Sequence, residues 1–214
     1  MAIIFDFDGT LVDSRQRIFA SADQAFSDYG PGRPSNAEVL KTIGLKPADM
    51  MSRLLPDAPQ HARESIAKRY RNHSLKMSRT QTDHETPFPG VSDLFETLLQ
   101  RNVPTGLATG KSRQGLEYSL QTLGWQSFFQ STRTADDGPG KPHPHILQEV
   151  VRDLGVEAHH TLYVGDTVFD MEMAVAAGVR PIGVSWGYHT EDELLQAGAS
   201  RVLTSWNDLL SVMN

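Results

Sequence analysis

The sequence contains no cysteine at any of its 214 positions. Disulfides, thiolate zinc sites and a cysteine nucleophile are therefore excluded, and any catalysis must use oxygen or nitrogen groups. No apolar run approaches the ~18 residues that a membrane-spanning helix needs. The apolar run after Met1 reaches Asp6 almost at once and has no basic segment before it. We therefore expect no signal peptide and no membrane partner, and we predict a cytoplasmic protein.

Positive charge is in deficit, since the formal net charge is -6. We therefore do not expect nucleic acid as a partner, because such proteins usually carry a basic stripe. The charge is also uneven: residues 14–87 hold 12 Lys and Arg against 8 Asp and Glu, whereas the remainder holds 8 against 18. Solvated faces and an anion-binding function both explain such a split, and the sequence leaves the choice open.

The hydrophobic pattern changes along the chain. Residues 14–80 show helical periodicity only, as in the spacing of Ile18, Ala22, Ala25 and Phe26. From residue 86 onward, short apolar strands alternate with helices, which is typical of a parallel sheet with helices on both faces. We predict an α/β fold in which a Rossmann-like parallel sheet, residues 1–13 and 88–214, carries an inserted all-helical cap, residues 14–87.

Polar residues follow the predicted strands at the points where each strand ends. Open α/β sheets bind ligands beyond the carboxyl ends of their strands, so we expect these residues to form one site. Lys141 opens the helix before the "TLYVGD" strand and joins the same group. The candidate residues at the strand ends are Asp6, Asp8, Thr109, Gly110, Lys111 and Asp166, with Asp170 one helical turn after Asp166.

A group of converging carboxylates needs a nearby cation. Two like charges at ~4 Å repel by about 4 kcal/mol at an effective dielectric constant of 20. Without cysteine and without a clear histidine partner, the predicted ligands are oxygen atoms, which suit Mg²⁺. Magnesium in proteins often takes substrate phosphate oxygens as further ligands. The acidic group beside Lys141 and Thr109 therefore indicates a phosphoryl site, in which these two residues hold phosphate oxygens.

Four segments resemble the motifs of the haloacid dehalogenase superfamily, in the same order. "DFDGTLVDS" resembles the first motif, and "GLATGK", "GKPHP" and "VGDTVFDMEMAVAAG" are similar to the second, third and fourth. The resemblance covers the whole chain, because the helical insertion is similar to the caps of the phosphoglycolate phosphatase-like branch. It implies a Mg²⁺-dependent phosphatase that acts on a small phosphorylated metabolite, such as phosphoglycolate or a sugar phosphate.

The resemblance also implies a role for each acidic residue. Asp6 would be the nucleophile that forms an aspartyl-phosphate, and Asp8 would be the general acid and base. Mg²⁺ would bind Asp6, the backbone carbonyl of Asp8 and Asp166, while Asp170 supports the metal's waters or Lys141. Because Asp8 must be protonated in the first step, we expect partial burial and the neighbouring Asp6 carboxylate to raise its pKa.

Phosphate binding is expected from three further positions. Thr109 and Lys141 would hold phosphate oxygens, and Gly110 would leave room for the backbone to approach them. Basic residues of the cap are candidates for contact with an anionic substrate tail, although solvation on a helix surface is the alternative. These cap candidates are Arg15, Lys46 and Arg53.

Two other functions stay open at this point. A phosphomutase of the β-phosphoglucomutase type uses the same pair of aspartates, but it should show a cap arginine after a Gly-x-Ser turn. The corresponding stretch here reads "TIGLKPADM", with Lys46 in place of an arginine. A non-catalytic phosphate-binding protein on the same scaffold is the third possibility. The substrate and the oligomeric state are left open by the sequence.

Overall fold

The computed structural model describes residues 1–30, 32–80 and 85–213. The central sheet consists of β1 (Ala2–Phe5), β4 (Thr105–Ala108), β5 (Ser131–Arg133), β6 (Thr161–Gly165), β7 (Arg180–Val184) and β8 (Arg201–Leu203). Its strand order is β5-β4-β1-β6-β7-β8, and each neighbouring pair is parallel. The predicted α/β fold with a parallel sheet is confirmed.

Alternate residues of β1 pack against different helices, as the pleat of a strand requires. Ile3 and Phe5 belong to a hydrophobic cluster on one face, and Ile4 belongs to another cluster. The first cluster contains residues of α5 (Val91–Gln100), α6 (Arg113–Leu123) and α10 (Trp206–Val212). The second contains residues of α7 (His145–Asp153) and α8 (Val168–Ala177), while α9 (Glu191–Gln196) packs near β7.

The position of β1 decides where its trailing residues lie. Ile3 of β1 is paired with Thr105 of β4 on one side and with Leu162 of β6 on the other. The loops that follow these three strands therefore meet at the carboxyl edge of the sheet, where ligands of such folds bind.

Residues 14–80 contain helices and no strand within their described part, as their periodicity predicts. These helices are α1 (Arg15–Ala25), α2 (Asn36–Leu40), α3 (Pro47–Leu54) and α4 (Gln60–Thr80). They bury a hydrophobic cluster of their own, and Phe169 of α8 also packs into it. The helical insertion is therefore held against the α/β core by apolar contact. The buried residues of this hydrophobic cluster include Ile18, Ala22, Phe26, Val39, Met50, Met51 and Ile66.

A second, very short sheet joins the two segments that enter and leave the helical insertion. β2 (Val12–Asp13) and β3 (Thr86–Pro87) pair antiparallel, with Val12 opposite Pro87. The sequence analysis did not predict this pair, because two-residue strands show no periodicity. It lies where we placed the boundaries of the cap. Across the described ranges, no helix has the length and apolar character needed to cross a bilayer.

Candidate active site

Three carboxylates and one lysine meet at the carboxyl edge of the sheet. We call Asp6, Lys141, Asp166 and Asp170 the Lys141 cluster. The Lys141 Nζ lies 2.8 Å from Asp6 Oδ1 and 2.6 Å from Asp170 Oδ1. All four residues are at most 1% exposed. One ligand oxygen from each aspartate lies within 4.8 Å of the others, so these predicted site residues are brought together.

Asp170 is the most fully bonded member of the Lys141 cluster. It lies in the first turn of α8, where it forms a capping box with Thr167. Its Oδ2 accepts hydrogen bonds from the Thr167 backbone N–H at 3.0 Å and from the Thr167 hydroxyl at 2.7 Å. Its Oδ1 lies 2.9 Å from the Tyr163 hydroxyl as well as 2.6 Å from Lys141. With both oxygens engaged, Asp170 is suited to positioning Lys141.

Asp166 is oriented by two loops. Its Oδ1 accepts a hydrogen bond from the Thr10 hydroxyl at 3.0 Å, and its Oδ2 accepts one from the Tyr188 backbone N–H at 3.0 Å. Gly9 allows this approach, since a Cβ at that position would lie 2.3 Å from Asp166 Oδ2 and 2.5 Å from the Tyr188 ring. The φ of Gly9 is also +84°, a conformation that side chains disfavour.

The Lys141 cluster carries excess negative charge. Burial raises the pKa of Asp6 to about 6; Lys141 opposes that rise and Asp170 adds to it. Burial, with the Asp170 and Asp6 carboxylates, raises the pKa of Asp166 well above its usual range. Burial alone would lower the pKa of Lys141, but the two carboxylates that it contacts raise it. One ammonium therefore does not balance three carboxylates, and this all-oxygen set fits a divalent cation.

A second group of charged residues surrounds Asp8. We call Asp8, Arg17, Glu85 and Lys111 the Asp8 cluster. Asp8 Oδ1 lies 2.5 Å from Arg17 Nη2 and 3.2 Å from Lys111 Nζ, and it accepts a 2.5 Å hydrogen bond from the Ser14 hydroxyl. Glu85 forms ion pairs with Arg17 and, at 2.5 Å, with Lys111. The cluster joins the core to α1 and to the segment that leaves the helical insertion.

The expectation that the pKa of Asp8 is raised is wrong for this arrangement. Burial alone would raise it, but the Arg17 guanidinium and the Lys111 ammonium hold the pKa of Asp8 below its usual range. We considered only Asp6 as its electrostatic neighbour, whereas Asp8 turns toward two cations that are distant in sequence. Asp8 is therefore ionised in this conformation.

A cavity of about 80 Å³ lies between the core and the helical insertion. Asp6, Asp8, Thr109 and Gly110 line it from the core. Thr109 follows β4, and its hydroxyl hydrogen-bonds the Asp6 carboxylate. Glycine at position 110 has a second physical reason beside the expected one, because a Cβ there would lie 2.5 Å from the carbonyl oxygen of Gly44. Gly110 thus makes room for the cap rather than for phosphate alone.

The three basic cap residues expected at the substrate lie elsewhere in this conformation. The Arg15 guanidinium lies 5.5 Å from the Tyr188 ring centroid, and that of Arg53 lies 4.5 Å from the Phe169 ring centroid. The aliphatic part of Lys46 packs beside Gly140. Among the described residues, the basic side chains that line the cavity are Arg17, Arg71 and Lys111.

The sequence analysis missed several residues that shape the site. Arg17 is 2% exposed, and its spacing from Ser21 and Ser14 places it on the buried face of α1. The helical spacing therefore marked Arg17 as a residue of the buried face, although we used that spacing only for apolar residues. Lys111 follows Thr109 at a strand end, where we expected polar residues to form the site, but no role was predicted for it. Tyr188 lies in the "SWGYH" stretch directly after a strand end, which is where site residues are expected, whereas Glu85 had no local signal.

Comparisons with known proteins establish the family. Residues 3–184 match the family described as haloacid dehalogenase-like hydrolase. The chain belongs to this family. A pyrophosphatase from Bacillus pumilus is 31% identical, over 99% of this chain and 95% of that protein. A phosphoglycolate phosphatase from Yersinia pestis is 30% identical, over 97% of this chain and 90% of that protein.

Solved structures share the fold over the full length. A hydrolase from Pseudomonas syringae has a TM-score of 0.86 at 25% identity, covering 100% of this chain and 97% of that one. A haloacid dehalogenase-like protein from Streptococcus pneumoniae has a TM-score of 0.83 at 22% identity, covering 100% and 98%. This chain is thus a hydrolase of the family whose curated relatives carry phosphatase names, as the motifs predicted.

Proposed function

We propose that this protein is a Mg²⁺-dependent phosphatase that hydrolyses a small phosphomonoester through an aspartyl-phosphate on Asp6. One observation carries the proposal: the Lys141 cluster holds three buried carboxylates against one ammonium, and one of them, Asp6, opens into a cavity that Asp8 also lines. A cation and a phosphoryl group together match this arrangement of charge, because the cation offsets both the carboxylates and the phosphate oxygens.

Asp6 is the nucleophile in this proposal. A carboxylate oxygen of Asp6 attacks phosphorus, a new O–P bond forms, and the bond from phosphorus to the leaving oxygen breaks. Asp8 gives a proton to that oxygen and then takes a proton from the water that hydrolyses the aspartyl-phosphate. Lys141 and the Thr109 hydroxyl both contact Asp6, and in this proposal they hold oxygens of the transferred phosphoryl group.

The metal would be held by Asp6, the backbone carbonyl of Asp8 and Asp166. When bound, it would neutralise charge on the carboxylates and on the phosphoryl oxygens. Asp170 would position Lys141, to which it is already paired. The backbone at Gly110, next to Thr109, would lie along the phosphate side of the cavity.

Asp8 needs a change of partners before it can act as an acid. In this conformation Arg17 and Lys111 stabilise its ionised form. We propose that closure of the helical cap, residues 14–87, over the substrate redirects one or both cations and exposes Asp8 to the leaving oxygen. The cap would also exclude water from the reacting groups.

The direct test is phosphate release by the purified protein. We expect hydrolysis of p-nitrophenyl phosphate and of a panel of small phosphomonoesters in Mg²⁺, and loss of that activity with a chelator. Absence of release from every compound in Mg²⁺ would overturn the proposal. Incubation with β-glucose 1-phosphate separates a mutase from a hydrolase, since the mutase gives glucose 6-phosphate and the hydrolase gives free phosphate.

A substrate with a second anionic group is favoured by the cavity. Its volume is only about 80 Å³, and Arg17, Arg71 and Lys111 line it. The names of the relatives agree with this chemistry, since pyrophosphate and phosphoglycolate each carry a second anionic group beside the scissile phosphoryl group. We therefore test phosphoglycolate first in the panel, ahead of sugar phosphates, in which the part beyond the phosphate is uncharged, and we add the phosphoanhydride pyrophosphate as a second compound with two anionic groups.

A further inference from the structure

Among the described residues, three basic side chains line the cavity, and they differ in what else they contact. Arg17 and Lys111 each form ion pairs with the acidic residues of the Asp8 cluster. Arg71 of α4 has neither a hydrogen bond nor an ion pair to any residue in the ranges that the structure describes. Arg71 is therefore a cavity cation that can bind an anionic ligand without giving up a protein partner.

We propose that Arg71 determines specificity by binding an anionic group at the end of the substrate that does not react. The inference rests on the proposed function, because it takes the other end of the substrate to be the phosphoryl group that Asp6 receives. A carboxylate suits a guanidinium, since its two oxygens match two parallel N–H groups. The substrate class is then that of phosphorylated hydroxy acids rather than phosphorylated alcohols.

Arg71 and Asp6 line the same small cavity from different parts of the molecule. Asp6 follows β1 in the core, whereas Arg71 belongs to α4 of the helical insertion. The cavity has a volume of only about 80 Å³. A ligand with its phosphoryl group at Asp6 therefore has room for only a short chain between that group and the cap, so its second anionic group must be near the first.

The face of α4 that lines the cavity offers a second donor beside Arg71. Ser74 and Ser78 also line the cavity, and their spacing places them on the same face of the helix as Arg71. The Ser78 hydroxyl donates a hydrogen bond to the Ser74 carbonyl oxygen at 3.2 Å. The Ser74 hydroxyl has no partner within the described part of the chain, so it can donate to the anion that Arg71 binds.

The charge of α4 favours an anion over an uncharged group. The helix, Gln60–Thr80, contains six Lys and Arg residues and one Glu. That residue, Glu64, does not line the cavity, so the side of the cavity formed by α4 attracts anions. Arg71 is exposed in this conformation, whereas Ser74 and Ser78 are half-buried. Closure of the cap over a substrate would exclude water from the guanidinium and strengthen its pairing with a carboxylate.

The test compares two phosphonates that cannot be hydrolysed and differ at one end. 3-Phosphonopropionate carries a carboxylate, whereas propylphosphonate ends in a methyl group. Calorimetry in Mg²⁺ gives their dissociation constants for the wild-type protein and for Arg71→Gln. We expect Arg71→Gln to weaken binding of 3-phosphonopropionate by about tenfold and to change binding of propylphosphonate less than about twofold. Retained binding of propylphosphonate also shows that the variant is folded.

A control variant separates a specific contact from the general field of the helix. Lys68→Gln removes the same charge from an exposed position on α4 that does not line the cavity, and it should alter neither dissociation constant. Equal weakening of 3-phosphonopropionate by Lys68→Gln and Arg71→Gln would overturn the inference, because the field of α4 would then account for the preference. An equal effect of Arg71→Gln on both ligands would overturn it as well.

Phosphate release by the same preparation tests the proposed function separately. If the wild-type protein hydrolysed phosphomonoesters but bound the two phosphonates equally, the role of Arg71 would be overturned and the phosphatase proposal would stand. If it released phosphate from no compound in Mg²⁺, the proposed function would be overturned, and the inference that rests on it would fall too.

Discussion

Asp6 and Asp8 stand two residues apart in one loop, yet they belong to clusters with different charge balance. In the Lys141 cluster three carboxylates surround one ammonium, and the pKa of Asp6 is raised by burial to about 6. In the Asp8 cluster two carboxylates meet two cations, and the pKa of Asp8 is lowered despite its burial. Burial raises the pKa of both aspartates, but the two cations beside Asp8 outweigh it, whereas the single ammonium beside Asp6 does not.

The two clusters also differ in what they connect. The Lys141 cluster lies wholly within the α/β core, where Tyr163 and Thr167 fix it. The Asp8 cluster includes Arg17 of α1 and Glu85, so its geometry depends on the position of the cap. The geometry of the Lys141 cluster therefore depends on contacts within the core, whereas that of the Asp8 cluster depends also on the helical insertion.

The largest expected effect is that of Asp6→Asn on turnover. An amide is not a nucleophile toward phosphorus, so we expect kcat to fall by at least about 1,000-fold. Phosphate release in Mg²⁺ measures it, with Asp192→Asn on the exposed side of α9 as the control. Near-normal turnover by Asp6→Asn would show that another group attacks phosphorus.

Asp8→Asn should act selectively on poor leaving groups. An alkoxide needs a proton to depart, whereas p-nitrophenolate departs with little protonation. We therefore expect kcat to fall about 100-fold or more on alkyl phosphates, and the fall on p-nitrophenyl phosphate to be smaller by a factor of at least about ten. Parallel kinetics on the two substrates provide the measurement. Equal losses on both would contradict the acid role and assign Asp8 to the charge balance alone.

The excess charge of the Lys141 cluster predicts an unusual pH dependence for the metal-free protein. Because the pKa of Asp6 is raised, the folded state holds its proton between the ordinary Asp pKa of 3.8 and about 6, and the contribution of Asp6 to the free energy of unfolding falls as pH rises through that window. The raised pKa of Asp166 acts with the same sign, from 3.8 upward. The lowered pKa of Asp8 acts with the opposite sign, but only below 3.8.

Chemical denaturation with chelator and with Mg²⁺ tests this dependence. The Mg²⁺ concentration is fixed at about 100 times the dissociation constant that applies above pH 6. Mg²⁺ should then raise the free energy of unfolding by about 3 kcal/mol above pH 6 and by little near pH 4. A stabilisation that is independent of pH would show that the ion binds away from the carboxylates.

Tyr188→Phe should give the smallest effect, because it weakens only the link between the clusters. The Tyr188 backbone bonds Asp166, and its hydroxyl accepts a 3.1 Å hydrogen bond from the Ser14 N–H. We expect a loss of about 1 kcal/mol in the free energy of unfolding. Chemical denaturation of Tyr188→Phe, with Tyr118→Phe as the control, measures this change in the free energy of unfolding. Equal losses in the two variants would show that the Tyr188 hydroxyl does not connect the two clusters.

The sequence predicted the core fold well because β-strands and helices of this kind carry strong periodicity. From residue 86 onward strands alternate with helices as the pattern predicts, and the strand ends at Asp6, Thr109 and Asp166 meet as parallel topology requires. The "TGK" segment predicted a phosphate-binding role for Thr109 and Gly110, but for Lys111 it predicted only a place at the strand end. A single basic residue at a strand end does not reveal which distant carboxylate it contacts.

Other features depend on contacts that no local pattern encodes. His189 has no hydrophobic pattern around it that predicts burial, yet it is 9% exposed and its Nδ1 accepts a hydrogen bond from the Val168 N–H. The contact exists because the loop after β7 folds back onto the start of α8. Glu85 likewise gains its partners from α1 and from the loop after β4, which are remote in sequence.

The most direct test of the contrast between the clusters is the stability of two variants in chelator at pH 7. Asp6→Asn removes one of three mutually repelling carboxylates and should raise the free energy of unfolding by about 1–3 kcal/mol. Asp8→Asn leaves Arg17 and Lys111 short of an anion and should lower it by a similar amount, about 1–3 kcal/mol. Changes of the same sign in the two variants would contradict the account.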